Sequence, residues 1–377
     1  MRIGTALAVA GGGLAAAVLA PGMAVAHRLH HSGFDPRTDR IPGPLDLEIT
    51  SLGPCRVTLR RGAPALPSRP DEPGHFLLRG ARGWGYAGPV IDVNGVLAVR
   101  EFRHGMGGLR AGDRVRLDSF AFDGDPRTAH DLAFEDARFT SPLGEFPAWF
   151  VPGQRDTWAV MTHGKGADRR ETLRLLPVLA ELGIPSLAIT YRNDEGCPPA
   201  PGGLYTYGRD EWEELDGAVR YALDHGARNI LIVGYSMGGA ISLAFMGRSS
   251  LASRVTALIL DAPMINLSRT VEHGARRSGI PSAVLPVSNR IAARRGGFDW
   301  HDFDHFGTAC GLNVPVLLFH GDADPTVPVA TSDALAAARP DLIRYVRLPG
   351  VAHVRAWNHD PGAYRAAVTG FLEGVLS

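Results

Sequence analysis

Downstream of Leu132 the chain alternates short apolar runs with amphipathic stretches. The runs TWAVMTHG, PSLAITY, NILIVGYS, VTALILDAP, VPVLLFHG and IRYVRLPG are apolar almost throughout and end in turn residues. That pattern predicts strands buried on both faces. Between and after them, apolar positions recur at helical spacing over residues 168–182, 210–225, 237–246, 331–338 and 361–376. FEDARFTS and EFPAWFVP predict a hairpin ahead of the first of these strands. Strands alternating with helices predict an α/β fold with a mostly parallel sheet covered on both faces. Ligands of such sheets lie at the carboxyl ends of the strands.

Residues 41–131 follow a different pattern, rich in Gly, Pro and Arg. Alternating runs such as CRVTLRR, HFLLRG, GVLAVREF and DRVRLDSFAF are separated by turn signals, with no helical period. They predict a small β-rich module ahead of a catalytic domain over residues 132–377. HGMGGLRAG, residues 104–112, lacks the strand-to-helix setting of a phosphate cradle and reads as a flexible turn. Residues 3–26 carry no charge, reach the length of a membrane span, and include APGMAVA, with a cleavage-like Ala24-Val25-Ala26. Residues 1–26 read as a signal peptide or an amino-terminal anchor, in either case set apart from the fold. The expectation is an exported or membrane-anchored protein, in contact with the membrane through residues 3–26 if they stay attached.

Composition narrows the chemistry. The 377 residues hold 39 Lys+Arg against 39 Asp+Glu. No basic block supplies the field that a nucleic acid needs, so none is expected as a partner. Cys55, Cys197 and Cys310 are too few and too scattered for a disulfide framework or a zinc site, and are expected to be free. His301 and His305 in HDFDH share a helical spacing but lack a third ligand, and read as a solvated face. His27, His30 and His31 read as a polar flank. No metal is expected.

The chemistry gathers around NILIVGYSMGGA. Gly234-Tyr235-Ser236-Met237-Gly238 is G-x-S-x-G between a predicted strand and a predicted helix. In that setting it is a nucleophile elbow: the turn is so tight that side chains at Gly234 and Gly238 would collide with their neighbours. Ser236 would stand above the sheet, with the Met237 N–H aimed at the charge that develops during attack. A serine needs a base and a group to orient that base. Asp324 in HGDADPTVP and His353 in LPGVAHVRAW follow it in the order Ser, Asp, His, each in the loop after a strand. Asp261, ending VTALILD, and Asp322 compete with Asp324 for the acid role.

With THGKGA, GYSMGG, HGDADPTVP and GVAHVRAW in this order, the chain from Leu132 onward resembles α/β-hydrolases of the bacterial esterase-like and serine-aminopeptidase-like group. The resemblance implies Ser236 as nucleophile, His353 as base then acid, Asp324 as its orienting carboxylate, and the Lys165 backbone N–H as a second oxyanion donor. The Lys165 side chain reads as a solvated loop residue. Tyr191 and the loop that it opens, with Tyr235 beside the serine, are candidates to line the substrate. Residues 263–306 either form a cap over the site or pack on the sheet. The expected activity is hydrolysis of a small-molecule carboxylic ester without a cofactor. A peptidase or thioesterase of the same fold, or a silent binding protein on this scaffold, are the alternatives.

Overall fold

The computed structural model describes residues 19–39, 43–62 and 68–376. The upstream strands close on themselves. β1 (Leu47–Leu52), β2 (Arg56–Arg61), β3 (Phe76–Gly80), β4 (Gly83–Asn94), β5 (Leu97–Gly107) and β6 (Arg114–Asp118) form an antiparallel barrel in the order β1-β2-β5-β4-β3-β6. Alternate residues point inward, so Leu47, Ile49, Val57, Leu59, Leu78 and Val115 fill the interior. Pairing of Leu47 with Val115 closes the ring and leaves no open edge. β5 runs on to Gly107, so residues 104–107, expected in a turn, belong to a strand.

One buried charge ties the barrel to the rest of the chain. Arg100 is fully buried and its guanidinium donates to the carbonyls of Pro70, Gly74 and Gly88 at 3.0, 2.6 and 3.0 Å. Burial lowers its pKa to about 10. These bonds fix the loop that brings Gly74 and His75 onto Asn358, where the His75 N–H donates to the Asn358 carbonyl at 2.8 Å. A Cβ at Gly74 would collide with that carbonyl.

The second sheet has eight strands: β7 (Glu135–Ser141), β8 (Gly144–Val151), β9 (Thr157–Thr162), β10 (Ser186–Ile189), β11 (Asn229–Tyr235), β12 (Val255–Asp261), β13 (Val316–Gly321) and β14 (Ile343–Leu348). Their order is β14-β13-β12-β11-β9-β10-β8-β7. β9 to β14 pair in parallel, while the β7–β8 hairpin is antiparallel. β9, β12 and β13 are buried on both faces because helices cover both, which is why their sequences do not alternate. On β11, Ile230 and Ile232 enter one core layer and Leu231, Val233 and Tyr235 the other. The central strands thus carry their loops to one edge, with β11 ending beneath Ser236.

Residues 263–306 form the cap. Its helix Leu267–Arg277 lines the cleft at that edge, and its helix Leu285–Gly296 packs against Gly22 of the amino-terminal segment. The three cysteines are free, as expected. His301 is exposed, but His305 is buried and bonds to the Tyr207 carbonyl at 3.1 Å, so the two do not share the expected solvated face.

Residues 1–18 of the proposed leader lie outside the described residues. Residues 19–28 are helical, and they correct the expectation that everything up to residue 26 stands apart from the fold. Ala26 is fully buried, and a Cβ on Gly22 would meet Val287 Cγ1 at 2.8 Å. Small residues there let the helix lie close against the cap, a packing that an uncharged stretch does not announce. Among the described residues no helix is long and apolar enough to cross a membrane.

Candidate functional site

Ser236 occupies the turn between β11 and the helix Met237–Arg248. Its backbone has φ 50° and ψ −111°, outside the regions a serine ordinarily adopts. Such strain persists only where the surroundings enforce it. The Ser236 N–H donates to the Asp261 carbonyl, and its own carbonyl accepts from Met264, both at 2.9 Å. The flanking glycines are required. A Cβ at Gly234 would lie 2.6 Å from the Gly238 carbonyl oxygen, and one at Gly238 would lie 2.8 Å from that of His163.

The structure brings together the three residues that the sequence picked out. His353 Nε2 lies 2.8 Å from Ser236 Oγ, and His353 Nδ1 lies 2.6 Å from Asp324 Oδ2. Asp324 is buried. Its Oδ1 accepts from the amides of Thr326 and Val327 at 2.7 and 2.9 Å, and its Oδ2 also faces His320 Nε2 at 3.1 Å. Burial works to raise the pKa of this carboxyl, but the bonds from His320, His353 and the Thr326 amide outweigh it and hold the group well below the usual range. An anionic Asp324 keeps the proton on Nδ1 and leaves the Nε2 lone pair facing the serine. His320 was not singled out from the sequence, although it lies in the quoted HGDADPTVP. Its ring is fixed from the other side by Ser332 Oγ at 2.7 Å.

The competing carboxylates lie elsewhere. Asp322 bonds to the Arg347 guanidinium and the Gly350 amide, each at 2.7 Å. Asp261 gives its backbone carbonyl to Ser236, but its carboxyl is buried beneath the sheet edge, with no hydrogen-bond partner for Oδ2 among the described residues. Burial lifts its pKa to about 6.

The loop after β9 faces the elbow. Neither the Lys165 N–H nor the Met237 N–H donates to an acceptor among the described residues. The loop is held from behind. The Gly164 N–H donates to Glu171 at 2.7 Å, and the Tyr191 hydroxyl donates to the carbonyls of His163 and Gly164 at 3.1 and 3.0 Å. Tyr191 is therefore a fully buried brace and not a substrate-lining residue. Tyr235 does not line the cleft either: strand alternation turns it into the layer beneath the sheet, 5.2 Å from the Arg174 guanidinium. Arg174 in turn donates to the Val354 carbonyl at 2.8 Å and to Asn358 Oδ1 at 3.1 Å. It thereby fixes the histidine loop to the residue on which the barrel rests. The Lys165 side chain is not solvated as expected, because both oxygens of Asp39 engage its ammonium, at 2.8 and 2.7 Å.

His163 sits between the Gly164 carbonyl on Nδ1, at 2.9 Å, and Asp194 on Nε2, at 2.8 Å. Burial pulls its pKa down, but the charge and hydrogen bond of Asp194 prevail and lift it to about 9. A histidine raised above its unfolded value of about 6.5 gives stability that is complete below that pH and is lost as pH rises through about 9. Urea titrations are expected to show a loss of up to roughly 3 kcal/mol between pH 6.5 and 9 from this group. Asp194→Asn should flatten that decline; an unchanged slope would mean that the imidazole is neutral.

Above these groups opens a cleft of about 700 Å³ with Ser236 and His353 in its wall. Met264, Leu267, Val271 and Ile280 of the cap supply an apolar side, so the cap alternative holds for residues 263–306. The size suits a small organic ligand.

No family model matches the chain. It is 25% identical over 280 residues to the uncharacterized protein YfhR of Escherichia coli (strain K12), covering 70% of this chain and 89% of that one. It is 28% identical over 213 residues to the uncharacterized protein Rv2307c of Mycobacterium tuberculosis (strain ATCC 25618 / H37Rv), covering 54% and 66%. Among solved structures, the Pyrococcus furiosus esterase Pf2001 superposes with a TM-score of 0.54 at 17% identity, covering 68% of this chain and 97% of that one. A second crystal form of it gives 0.53 at 18% identity, covering 68% and 95%. Strand order, the elbow at the end of β11 and this likeness agree: the chain has the α/β-hydrolase fold, preceded by a β-barrel module.

Proposed function

We propose that this protein is a serine hydrolase that transfers the acyl group of a carboxylic ester to water. The observation that carries the reading is the continuous run Asp324–His353–Ser236, bonded at 2.6 and 2.8 Å, at the wall of a cleft with one apolar side. Ser236 Oγ attacks the ester carbonyl carbon while His353 Nε2 takes its proton. The oxyanion that forms accepts from the Met237 and Lys165 amides, neither of which is engaged by an acceptor among the described residues. His353 passes the proton to the departing alkoxide, the C–O bond breaks and the acyl group remains on Ser236. Water then attacks the acyl-enzyme, His353 takes its proton and returns it to Ser236 Oγ, and the carboxylic acid leaves. Asp324 holds the imidazole and stabilises its charged form without itself taking a proton.

An ester is favoured over an aminoacyl amide because the cleft lining, apolar on the cap side and carrying the cationic Arg28 and Lys165, holds no Asp or Glu among the described residues that could receive a free α-amino group. A p-nitrophenyl ester series run beside aminoacyl p-nitroanilides tests this on the purified chain. Turnover of the esters with little on the anilides is expected. Turnover of the anilides alone would make the protein a peptidase.

A further inference from the structure

Resting on that reading, we propose that the amino-terminal arm, residues 25–39, is a working part of the site. It forms the wall that selects the acyl group, and its Asp39 clamps the oxyanion loop.

The arm's wall follows from its periodicity. The helix at residues 19–28 runs into a wider turn, Leu29–Phe34, and Val25, Leu29 and Gly33 recur at intervals of four on the face that lines the cleft, with Arg28 and Ser32 beside them at its rim. Gly22 and Ala26, three residues before Val25 and Leu29 respectively, flank that face and are packed closely as described above. Below it, Phe34 enters the core, stacked on Phe298 with ring centroids 5.0 Å apart, and its carbonyl accepts from the Tyr205 amide at 2.8 Å. The Tyr207 hydroxyl bonds to the Gly33 carbonyl. The segment is thus held on either side of Val25 and Leu29, the residues it gives to the cleft wall. With Val25 and Leu29 lining the same cleft as Leu267, Val271 and Ile280, the acyl group that this wall suits is an apolar chain several carbons long.

The clamp is electrostatic. Lys165 is the chain's single lysine, and its ammonium meets Asp39 through both carboxylate oxygens where each side chain is only about a fifth exposed. A Cβ on the neighbouring Gly166 would stand 2.7 Å from Asp39 Cβ, and φ there is +67°. The arm thus abuts the backbone that carries the Lys165 N–H. Misplacing that donor weakens the transition state more than the ground state, since the ester carbonyl carries its full charge only during attack.

Two variants of the full chain test the two roles. Leu29→Trp fills the wall and is expected to lower the ratio of kcat/KM for an octanoyl over an acetyl p-nitrophenyl ester at least tenfold. Asp39→Ala is expected to lower kcat about 10- to 100-fold at nearly constant KM and unchanged melting temperature, with Asp39→Glu restoring much of it. An unaltered chain-length ratio in Leu29→Trp, or a wild-type kcat in folded Asp39→Ala, would overturn the corresponding role. Labelling of Ser236 by fluorophosphonates of short and long alkyl chain separates this proposal from the ester reading. If the wild type cleaves no ester, the ester reading fails, and the same two variants are read from their labelling rates: slower labelling of Asp39→Ala and a reduced long-to-short ratio in Leu29→Trp support the arm, and unchanged rates or the absence of labelling overturn it.

Discussion

Ser236→Ala is expected to lower kcat for the best p-nitrophenyl ester by about 10⁶-fold while the protein stays folded. Without Oγ there is no acyl-enzyme, and His353 has no proton to take from a bound nucleophile. A residual rate above the uncatalysed one should survive, because the Met237 and Lys165 amides still face any oxyanion formed by direct attack of water. The fold should tolerate the change. Ser236 caps nothing with its side chain, whose one hydrogen bond among the described residues is to His353, and alanine suits the same backbone conformation no worse than serine. A melting temperature close to wild type would therefore separate loss of chemistry from loss of structure.

Asp324→Asn is the second large effect, expected at up to about 10⁴-fold in kcat. The substituted amide can present an N–H to His353 Nδ1, which forces the proton to Nε2 and removes the lone pair that must face Ser236. The stabilisation of the imidazolium by the anionic carboxylate goes with it. Asp322→Asn and Asp261→Asn should each cost less than tenfold, since Asp322 is spent on Arg347 and Gly350 and Asp261 reaches the elbow only through its backbone. Loss of turnover in Asp261→Asn with Asp324→Asn near wild type would move the acid to the end of β12.

The parts of the site legible in the sequence are those written in local pattern. The elbow needs only its own glycines and the strand and helix that flank it, and the apolar runs gave the order in which Asp324 and His353 return to the same edge. The β7–β8 hairpin and the helix at Pro361–Leu376 were legible for the same reason. What escaped depends on contacts between distant segments. The barrel's closure rests on β1 meeting β6, and Arg174 and Asn358 matter because they join the histidine loop to the barrel. Tyr191 and Tyr235 sit beside the site in sequence, but the direction of each side chain is set by its strand and its buried partners. The arm shows the limit most clearly: an uncharged stretch with a cleavage-like end reads as an address, while the close packing of Gly22 and Ala26 and the pairing of Asp39 with Lys165 exist only once the cap and the oxyanion loop are in place.

The central claim is that Ser236 is an activated nucleophile, and covalent labelling tests it most directly. Treatment of the purified protein with a fluorophosphonate, followed by peptide mass mapping, should place one adduct on the peptide that contains Gly234-Tyr235-Ser236-Met237-Gly238, and Ser236→Ala should abolish it. An adduct on a different residue, or an unlabelled Ser236 in folded protein that hydrolyses esters, would contradict it.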